Sequence, residues 1–529
     1  MSISGASMPA LTQPMTETGL TADDGAQLRS RGIPLAEAER QLRLLRTPPL
    51  AIVLDRPCAV GDGIVVLDAA LRERLSVEGR RAAAAGRVTK FVPASGAATR
   101  MFKDLIAAVD GPDRPSSAPA VRTFFEQLDH FAFAGELRRR AGVTGELSGD
   151  LAADEALERR LLRTLLSEMR FADLPKGLIP FHRTVTGGSR TAFEEQLLEG
   201  LGYTRAADGR CAMHFTVSAD FAALFDARLA EVRSSVETSH GPARLDVGFS
   251  VQQPSTDTLA IDAAGAPFRL AGGELLFRPA GHGALLANLQ ALDADLVVVK
   301  NIDNVLPDET NGEVVAWKQV LLGLLTALQD EVFTRLRAAL SVDAADTSQE
   351  AGLRDTVAWI GTRFGRRPAG ALTDAAACRA FIVDALDRPL RVCGVVRNEG
   401  EPGGAPFWVR SADGQVTVQI VESAQVHAAD PAQRAVFASS THFNPVDLAC
   451  ALRRHDGTPF DLARFVDEGT VFLSRKSHEG RELTALERPG LWNGAMAGWN
   501  TVCVEVPGST FAPVKTVLDL LRPQHQPRA

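Results

Sequence analysis

An alternation of apolar β-type segments with helical segments in the middle of the chain is the feature that most constrains its fold. Strand candidates lie at residues 88–93, 213–218, 245–251 and 296–301, and helical periodicity covers residues 192–201, 219–232 and 283–292. Strands separated by helices of this length favour a mostly parallel sheet with helices on both faces. The sequence therefore predicts an α/β core.

Composition and pattern divide the chain into consecutive segments. They are a disordered tail at 1–24, an N-terminal helical segment at 25–86, an α/β core at 87–310 with a helical insertion at 101–170, a second helical insertion at 311–388, and a more β-rich part of the core at 389–522. The tail is made of small and polar residues, which is typical of disorder. We find no internal repeat, so a single core with helical insertions is the expected organisation.

Charge and hydropathy exclude two classes of partner. The chain has 529 residues and a net charge of −8, so it has no global cationic field to hold a polyanion. Its N-terminus has neither the basic start nor the apolar core of a signal peptide. The most hydrophobic stretch, residues 314–340, is interrupted by Lys318 and Asp330, which indicates a buried or amphipathic helix instead of a membrane span. We expect neither nucleic-acid binding nor membrane insertion.

The cysteine pattern indicates a reducing compartment. The six cysteines are scattered without CxxC spacing, and Cys393 and Cys503 lie inside apolar runs. Free thiols in the core explain this pattern better than disulfides or a zinc site. With no targeting signal, the sequence predicts a cytoplasmic protein.

Two segments have the composition of phosphate-binding loops. The first, SGAATR, follows the strand at 88–93; its small residues allow close backbone approach to phosphate oxygens, and Arg100 can grip them in a bidentate way. In the second, Lys176 stands between Pro175 and Gly177, where a stiff backbone can present a compact point charge. Each segment, taken alone, is also consistent with an ordinary turn or surface loop.

Three further segments add a histidine, a carboxylate and a second lysine. His282 is flanked by Gly281 and Gly283 in RPAGHGAL, which suggests a loop pressed against a ligand, with the histidine as a positioning group. Asp303 follows the buried strand at 296–301, at the carboxyl edge where open α/β sheets bind ligands, and is a candidate Mg²⁺ ligand or a simple turn former. Lys515 lies on the proline-stiffened segment FAPVKTV.

The order of these segments along the chain resembles that of a known superfamily. SGAATR, LPKG, RPAGHGAL, VKNIDNV, QIVESAQV and FAPVKTVLDLL occur in the order of the corresponding blocks of the UDP-sugar pyrophosphorylases. The chain also resembles a poorly characterised bacterial branch of unknown function. The resemblance implies a nucleotide-sugar transferase fold of the GT-A or Rossmann-like type, a mixed sheet flanked by helices. The resemblance further implies that residues 87–310 bind the nucleotide and that residues 389–522 contain the sugar-binding part of the core.

The resemblance also implies a reaction: transfer of a nucleotidyl group from a nucleoside triphosphate, with UTP favoured, to a sugar 1-phosphate, with release of pyrophosphate. The implied roles are catalysis by Arg100, Lys176 and Lys515, nucleotide binding by Ser95, Gly96, Ala97, Gln252 or Gln253, Gly281 and His282, sugar binding by Gly394, Glu422 and Asn444, and Mg²⁺ binding by Asp303. The choice between Gln252 and Gln253 stays open, as do the sugar and the oligomeric state.

Departures from the superfamily pattern keep other functions open. Ser95 and Ala98 replace glycines of the phosphate turn, and an arginine that commonly precedes the closing lysine is absent from Gly508–Thr510. These losses favour, as an alternative, a catalytically silent nucleotide-sugar sensor. A glycosyltransferase on a related fold is a second alternative, although such enzymes usually hold metal with a DxD-type cluster and lack the PKG lysine.

Overall fold

The α-helices follow the apolar periodicity of the sequence. The computed structural model describes residues 18–49, 52–143, 154–342, 350–400, 403–411, 413–427 and 429–527. Its helices are α1 (Ala22–Ser30), α2 (Leu35–Arg46), α3 (Ala69–Ala84), α4 (Lys103–Val109), α5 (Pro119–Glu126), α6 (Ala134–Arg140), α7 (Glu155–Arg163), α8 (Ala192–Thr204), α9 (Ala222–Ser239), α10 (Leu286–Gln290), α11 (Gly312–Ser341), α12 (Glu350–Phe364), α13 (Ala375–Leu386) and α14 (Pro431–Ala438).

The strands are short and mostly buried. They are β1 (Val53–Pro57), β2 (Ala59–Val60), β3 (Gly63–Val65), β4 (Val88–Pro93), β5 (Pro180–Arg183), β6 (Ser189–Thr191), β7 (Arg210–Val217), β8 (Arg244–Val251), β9 (Ala260–Ile261), β10 (Leu296–Lys300), β11 (Leu390–Arg397), β12 (Ala405–Arg410), β13 (Val416–Val421), β14 (His442–Phe443), β15 (Asp447–Ala451), β16 (Phe472–His478), β17 (Arg481–Glu487) and β18 (Asn500–Glu505).

A large mixed sheet forms the centre of the molecule. Its strand order is β2–β3–β18–β11–β15–β10–β4–β7–β8, and β14 pairs with β11. β15 is antiparallel to both β10 and β11, and the other neighbours in this path pair in parallel. The other eight strands of this path therefore run in one direction, with their carboxyl ends at one edge, and β14 is antiparallel to β11. This confirms a mixed α/β fold with a largely parallel sheet.

Helix α11 is part of the helical layer on this sheet. It packs against α3, β11 and β15, and its apolar residues belong to the same core cluster as those of α3 and α13. Glycines allow the close crossing with α3: a Cβ on Gly79 would lie 1.9 Å from the Gln319 carbonyl oxygen, and one on Gly323 would lie 1.8 Å from that of Leu75. Helix α11, which lies in the helical insertion predicted at 311–388, is thus packed directly on the central sheet.

Three boundaries also differ from the sequence prediction. α1 begins at Ala22 with a capping box formed by Thr21 and Asp24, so the disordered tail predicted at 1–24 is too long at its end; residues 1–17 lie outside the described residues. The segment 25–86 is not only helical, because it contains β1, β2 and β3. The helix predicted at 283–292 is a 3₁₀ helix at His282–Leu285 followed by the five residues of α10, which is too short to present an anion-binding N-terminus.

All six cysteines are buried free thiols, as the sequence predicts. Among the described residues, no helix is both long and apolar enough to cross a lipid bilayer.

A buried pair of histidines joins the C-terminal segment to β5 by a side-chain hydrogen bond. His182 Nε2 and His525 Nδ1 lie 2.8 Å apart, and His182 Nδ1 lies 3.0 Å from Glu195 Oε1. Burial lowers the pKa of both histidines to about 3. Burial also raises the pKa of Glu195 well above its usual range. The neighbouring charges are Arg190, Asp308 and Glu309 beside His182, and Asp519 and Arg522 beside His525.

This pair predicts an acid-dependent loss of stability. A histidine whose pKa is lower in the folded than in the unfolded protein favours folding while it is neutral. Its contribution to stability is complete above the unfolded pKa of about 6.5, and it is lost as the pH falls from 6.5 towards 3. We expect His525→Gln to have a smaller fall in melting temperature than the wild type between pH 7 and pH 4.5. Glu195 is present in both proteins, so its opposing contribution largely cancels in the comparison.

The matched control is His130→Gln, which removes an exposed histidine. Its melting temperature should follow the wild-type pH profile. Equal slopes for His525→Gln and the wild type would show that the histidine pair does not disfavour protonation.

Candidate active site

Two lysines and one aspartate from distant parts of the chain meet after the carboxyl end of β10. Lys176 Nζ lies 2.8 Å from Asp303 Oδ2, and Lys515 Nζ lies 3.1 Å from the same oxygen. Asp303 is buried, whereas the Lys515 side chain is 54% exposed. Burial by itself raises the pKa of Asp303, but the charges of Lys515 and Lys176 outweigh it and hold that pKa below its ordinary value. The cluster therefore has a net positive charge.

Backbone hydrogen bonds fix the segment that carries Lys515. The Val514 N–H donates to the Asp303 carbonyl oxygen at 3.0 Å, and the Ala512 N–H donates to Asn304 Oδ1 at 3.0 Å. The NIDN turn and the FAPVK segment are thus a single hydrogen-bonded unit, which sets the position of this lysine relative to Asp303.

Lys176 is held from two sides. Its Nζ donates to the Val514 carbonyl oxygen at 2.8 Å, and its backbone N–H donates to the Gly96 carbonyl oxygen at 3.2 Å. Ala97 and Pro175 also form an isolated β-bridge. The structure therefore brings three of the sequence-predicted segments, SGAATR, LPKG and FAPVK, together around Asp303.

The SGAATR turn lies open beside this cluster. Ser95, Gly96 and Ala97 are exposed between β4 and a short 3₁₀ turn at Ala98–Arg100. The Arg100 side chain is exposed and makes no hydrogen bond or ion pair with any residue that the structure describes. It is therefore free to reach a ligand.

His282 lies in a second cluster and packs against an aromatic ring. Its imidazole stacks on Trp492 with ring centroids 4.0 Å apart, and its Nδ1 accepts the Leu491 N–H at 2.9 Å. Burial lowers the pKa of His282, so the ring is neutral with its proton on Nε2. Gly281 has φ of +72°, and a Cβ there would lie 3.1 Å from Glu487 Oε2, which explains the glycine.

Glu422 borders the same cluster. Its Oε1 accepts a hydrogen bond from Asn493 Nδ2 at 2.9 Å and lies 4.0 Å from His282 Nε2. The Glu422 side chain is 32% exposed, whereas Asn493 is fully buried. A carboxylate in this setting can accept hydrogen bonds from a ligand, and the neutral imidazole can donate one.

Gly394, inside β11, and Asn444, directly after β14, contact each other. Asn444 Nδ2 donates to the Gly394 carbonyl oxygen at 2.7 Å, and a Cβ on Gly394 would lie 3.2 Å from the Asp447 carboxylate. Asn444 also pairs with Gly404, whose own Cβ would lie 3.4 Å from the Glu422 side chain. Gly394 and Asn444 are therefore in direct contact, and Gly404 lies between Asn444 and Glu422.

The two glutamines follow β8 and make different contacts. Gln252 Nε2 donates to Asp257 Oδ1 at 3.3 Å, whereas Gln253 is exposed and its carbonyl oxygen accepts the Thr256 hydroxyl. Arg488 joins this loop to the RPAGHGAL loop, because its Nε donates to the Thr256 carbonyl oxygen and its backbone N–H to that of Ala280. Neither glutamine forms a hydrogen bond with the described residues of the lysine–aspartate cluster, and the choice between them stays open.

A buried ion network near this edge was not predicted from the sequence. Glu199 pairs with Lys90 and Lys300, and Lys318 pairs with Asp447; the exposure of all five side chains is 3% or less. A usable signal was present, because Lys90 and Lys300 interrupt or end apolar strands. The RPGLWNG loop, in which a tryptophan and an asparagine stand among glycine and proline, was not predicted from the sequence either.

A family model matches almost the whole chain. It is described as "Domain of unknown function (DUF4301)", and the match covers residues 21–526. The chain belongs to this DUF4301 family. The matched span contains every site residue described above, but the family description names no activity. No curated protein matches the chain.

Solved structures that the chain is similar to include two pyrophosphorylases. One is uridine diphosphate N-acetylglucosamine pyrophosphorylase from Trypanosoma brucei, at 14% identity, with 96% of this chain and 80% of that chain covered and a TM-score of 0.49. Another is UDP-glucose pyrophosphorylase from Leishmania major, solved with UDP-glucose, at 14% identity, with 94% and 77% covered and a TM-score of 0.42.

Proposed function

We propose that this DUF4301 protein transfers a nucleotidyl group from a nucleoside triphosphate, with UTP favoured, to a sugar 1-phosphate. The observation that supports this most is the pair of lysines, Lys176 and Lys515, on one buried aspartate at the carboxyl edge of the sheet. A phosphate-rich substrate needs compact positive charge there, and open α/β sheets bind their ligands at that edge.

The proposed reaction needs positioning and charge neutralisation more than proton transfer. An oxygen of the sugar phosphate attacks the α-phosphorus and forms a new P–O bond, while the bond to the β-phosphate breaks and pyrophosphate leaves. The attacking phosphate oxygen is already an anion at neutral pH, so no general base is required. Lys176 and Lys515 stabilise the charge that develops around the α-phosphorus. The exposed Arg100 grips the triphosphate beside the SGAATR backbone.

Asp303 has the features of a ligand for Mg²⁺. Its Oδ2 is bound by both lysines, but its Oδ1 is buried and has no hydrogen-bond partner among the described residues. The described residues contain no group of three or more acidic, histidine or cysteine side chains that could hold a metal ion. One carboxylate is sufficient, because Mg²⁺ commonly combines one or two carboxylates with substrate phosphates. The ion would supply further neutralisation of phosphate charge.

A catalytically silent nucleotide-sugar sensor is the second candidate. The ion pairs of Lys176 and Lys515 with Asp303 favour it, because a substrate phosphate has to compete with that carboxylate for both lysines. The same contacts are compatible with catalysis if the lysines turn towards the phosphates on binding.

Pyrophosphate release distinguishes the two candidates. We expect release when the protein is mixed with Mg²⁺, one nucleoside triphosphate and one sugar 1-phosphate from a matrix of such pairs, with UTP the best donor. Each reaction is compared with the same mixture lacking the sugar phosphate. Clear nucleotide binding without turnover for any pair would exclude the enzyme and favour the sensor.

A further inference from the structure

A pocket of about 490 Å³ is lined by residues of α3, α8 and the N-terminal part of α11. None of these residues belongs to the segments described above for the nucleotide, the sugar or the metal ion. The charged side chains in its wall are those of Arg80 on α3, Arg205 directly after α8, and Asp308, and His240 lies beside Asp308. The volume is in the range of small-molecule sites, so the pocket is a candidate site for a second ligand.

The two arginines of this pocket have only neutral hydrogen-bond acceptors. Arg80 Nη1 donates to Ser76 Oγ at 2.6 Å and to Gln319 Oε1 at 3.2 Å, and Arg205 Nη1 donates to the His240 carbonyl oxygen at 3.0 Å. Neither guanidinium group forms an ion pair with a carboxylate of the described residues. Because a guanidinium group stays charged and has five N–H donors, each of these arginines can bind a further, anionic partner.

The carboxylate in the wall does not neutralise these arginines. Asp308 is the only carboxylate among the described residues that line the pocket, and it is already engaged. Its two oxygens lie 2.8 and 2.9 Å from His240 Nε2, and Arg190 Nη1 lies 3.9 Å from Oδ2. Two guanidinium charges against one carboxylate leave the pocket with an excess of positive charge, which favours an anionic ligand.

Apolar side chains form another part of the same wall. They come from α3, α8 and α11 and are those of Ala83, Leu198, Leu201 and Val315. Ala83 and the two leucines belong to the buried core of the protein, and Val315 is half-buried. An inorganic anion would leave this apolar surface uncovered, whereas a ligand with an apolar body would remove it from water. The pocket therefore fits a ligand that combines a negative charge with an apolar body.

We infer that this pocket binds a small organic phosphate monoester. Its phosphate group pairs with Arg80 and Arg205, and its apolar body lies on the apolar part of the wall. A phosphate monoester matches the two unpaired charges because it is a dianion at neutral pH, and guanidinium groups bind phosphate oxygens with paired hydrogen bonds. The inference does not rest on the proposed function, since it concerns residues that have no part in nucleotidyl transfer.

The only tyrosine of the chain, Tyr203, lines this pocket and provides a local reporter. Selective labelling of the wild-type protein with [¹⁵N]tyrosine gives a single backbone amide signal in an NMR spectrum. We expect phenyl phosphate to shift this signal in a saturable way. Inorganic phosphate lacks the apolar body and phenol lacks the charge, so each should bind about 10-fold more weakly. Equal binding of the three probes, or no shift with phenyl phosphate, would overturn the inference.

Variants of the two arginines locate the bound phosphate. Arg80→Gln and Arg205→Gln should each weaken phenyl phosphate binding about 10-fold in the same NMR titration. The matched control is Arg81→Gln, because Arg81 is 71% exposed, pairs with Glu78 and does not line the pocket. It should bind phenyl phosphate as the wild type does, and so should Lys515→Ala.

The Lys515→Ala titration separates this pocket from the lysine–aspartate cluster. A loss of affinity in Lys515→Ala as large as in the arginine variants would place the phosphate at that cluster and overturn the inference. Wild-type affinity in both arginine variants would overturn it as well. A protein that releases no pyrophosphate but binds phenyl phosphate through these arginines would refute the proposed function and leave the inference standing.

Discussion

Replacing Lys515 by alanine is expected to lower kcat by about 100-fold or more. The ammonium group lies 3.1 Å from Asp303 Oδ2 and is 54% exposed, so it can turn from the carboxylate to a substrate phosphate. A charge that stabilises the transition state more than the bound substrate changes kcat in preference to KM. Initial rates of pyrophosphate release, measured with the best substrate pair, give both parameters.

Lys176→Ala is expected to lower kcat by a similar factor and to lower the melting temperature as well. Lys176 Nζ also donates to the Val514 carbonyl oxygen, so its loss loosens the segment that carries Lys515. Thermal unfolding separates the two causes, because Lys515→Ala should leave the melting temperature nearly unchanged.

The control for both variants is Lys103→Ala. Lys103 is exposed at the start of α4 and makes no side-chain hydrogen bond or ion pair with the described residues. It should keep wild-type activity. If Lys515→Ala also kept near-normal kcat, the assignment of that lysine to the reaction would be wrong.

The sequence predicted the central-sheet strands β4, β7, β8 and β10 and named the three residues of the lysine–aspartate cluster, but it did not predict the antiparallel strand β15. Strand β10 (LVVVK) is a nearly continuous apolar run, which favours a buried parallel strand, and β4 (VTKFVP) keeps enough apolar residues to be identified although Lys90 interrupts it. Because β4 and β10 are parallel neighbours, the segments that follow them must emerge at the same edge. The location of Asp303 near SGAATR therefore follows from local patterns and topology.

The contacts between distant side chains could not be predicted in this way. Asn493 and Glu422 come from two loops far apart in sequence, and nothing in either loop alone specifies their hydrogen bond. The same is true of α11, because nothing in the sequence around Gly323 shows that this residue packs against the Leu75 backbone of α3. Tertiary packing decides both, and periodicity does not carry that information.

Removing the carboxylate at the centre of the buried ion network should strongly destabilise the protein. Glu199 accepts hydrogen bonds from Lys90 at 3.2 Å and from Tyr203 at 2.8 Å, and it also pairs with Lys300. Burial lowers the pKa of Lys90 to about 7 even with this carboxylate beside it. Glu199→Gln leaves two buried ammonium groups without their partner, so we expect a loss of about 3–5 kcal/mol in the free energy of unfolding.

Denaturant unfolding at two pH values tests this prediction and its cause. A buried lysine that loses its partner can avoid the cost of a buried charge by releasing its proton. Because its pKa is lower in the folded protein, it destabilises the fold less as the pH rises from 7 towards its pKa in the unfolded chain, about 10.4. The loss in Glu199→Gln should therefore be smaller at pH 9 than at pH 6. Glu231→Gln, which removes a 63% exposed partner of Arg228, should change the unfolding free energy by less than about 1 kcal/mol at both pH values. Equal losses in the two variants would mean that the buried lysines do not depend on Glu199 for their charge balance.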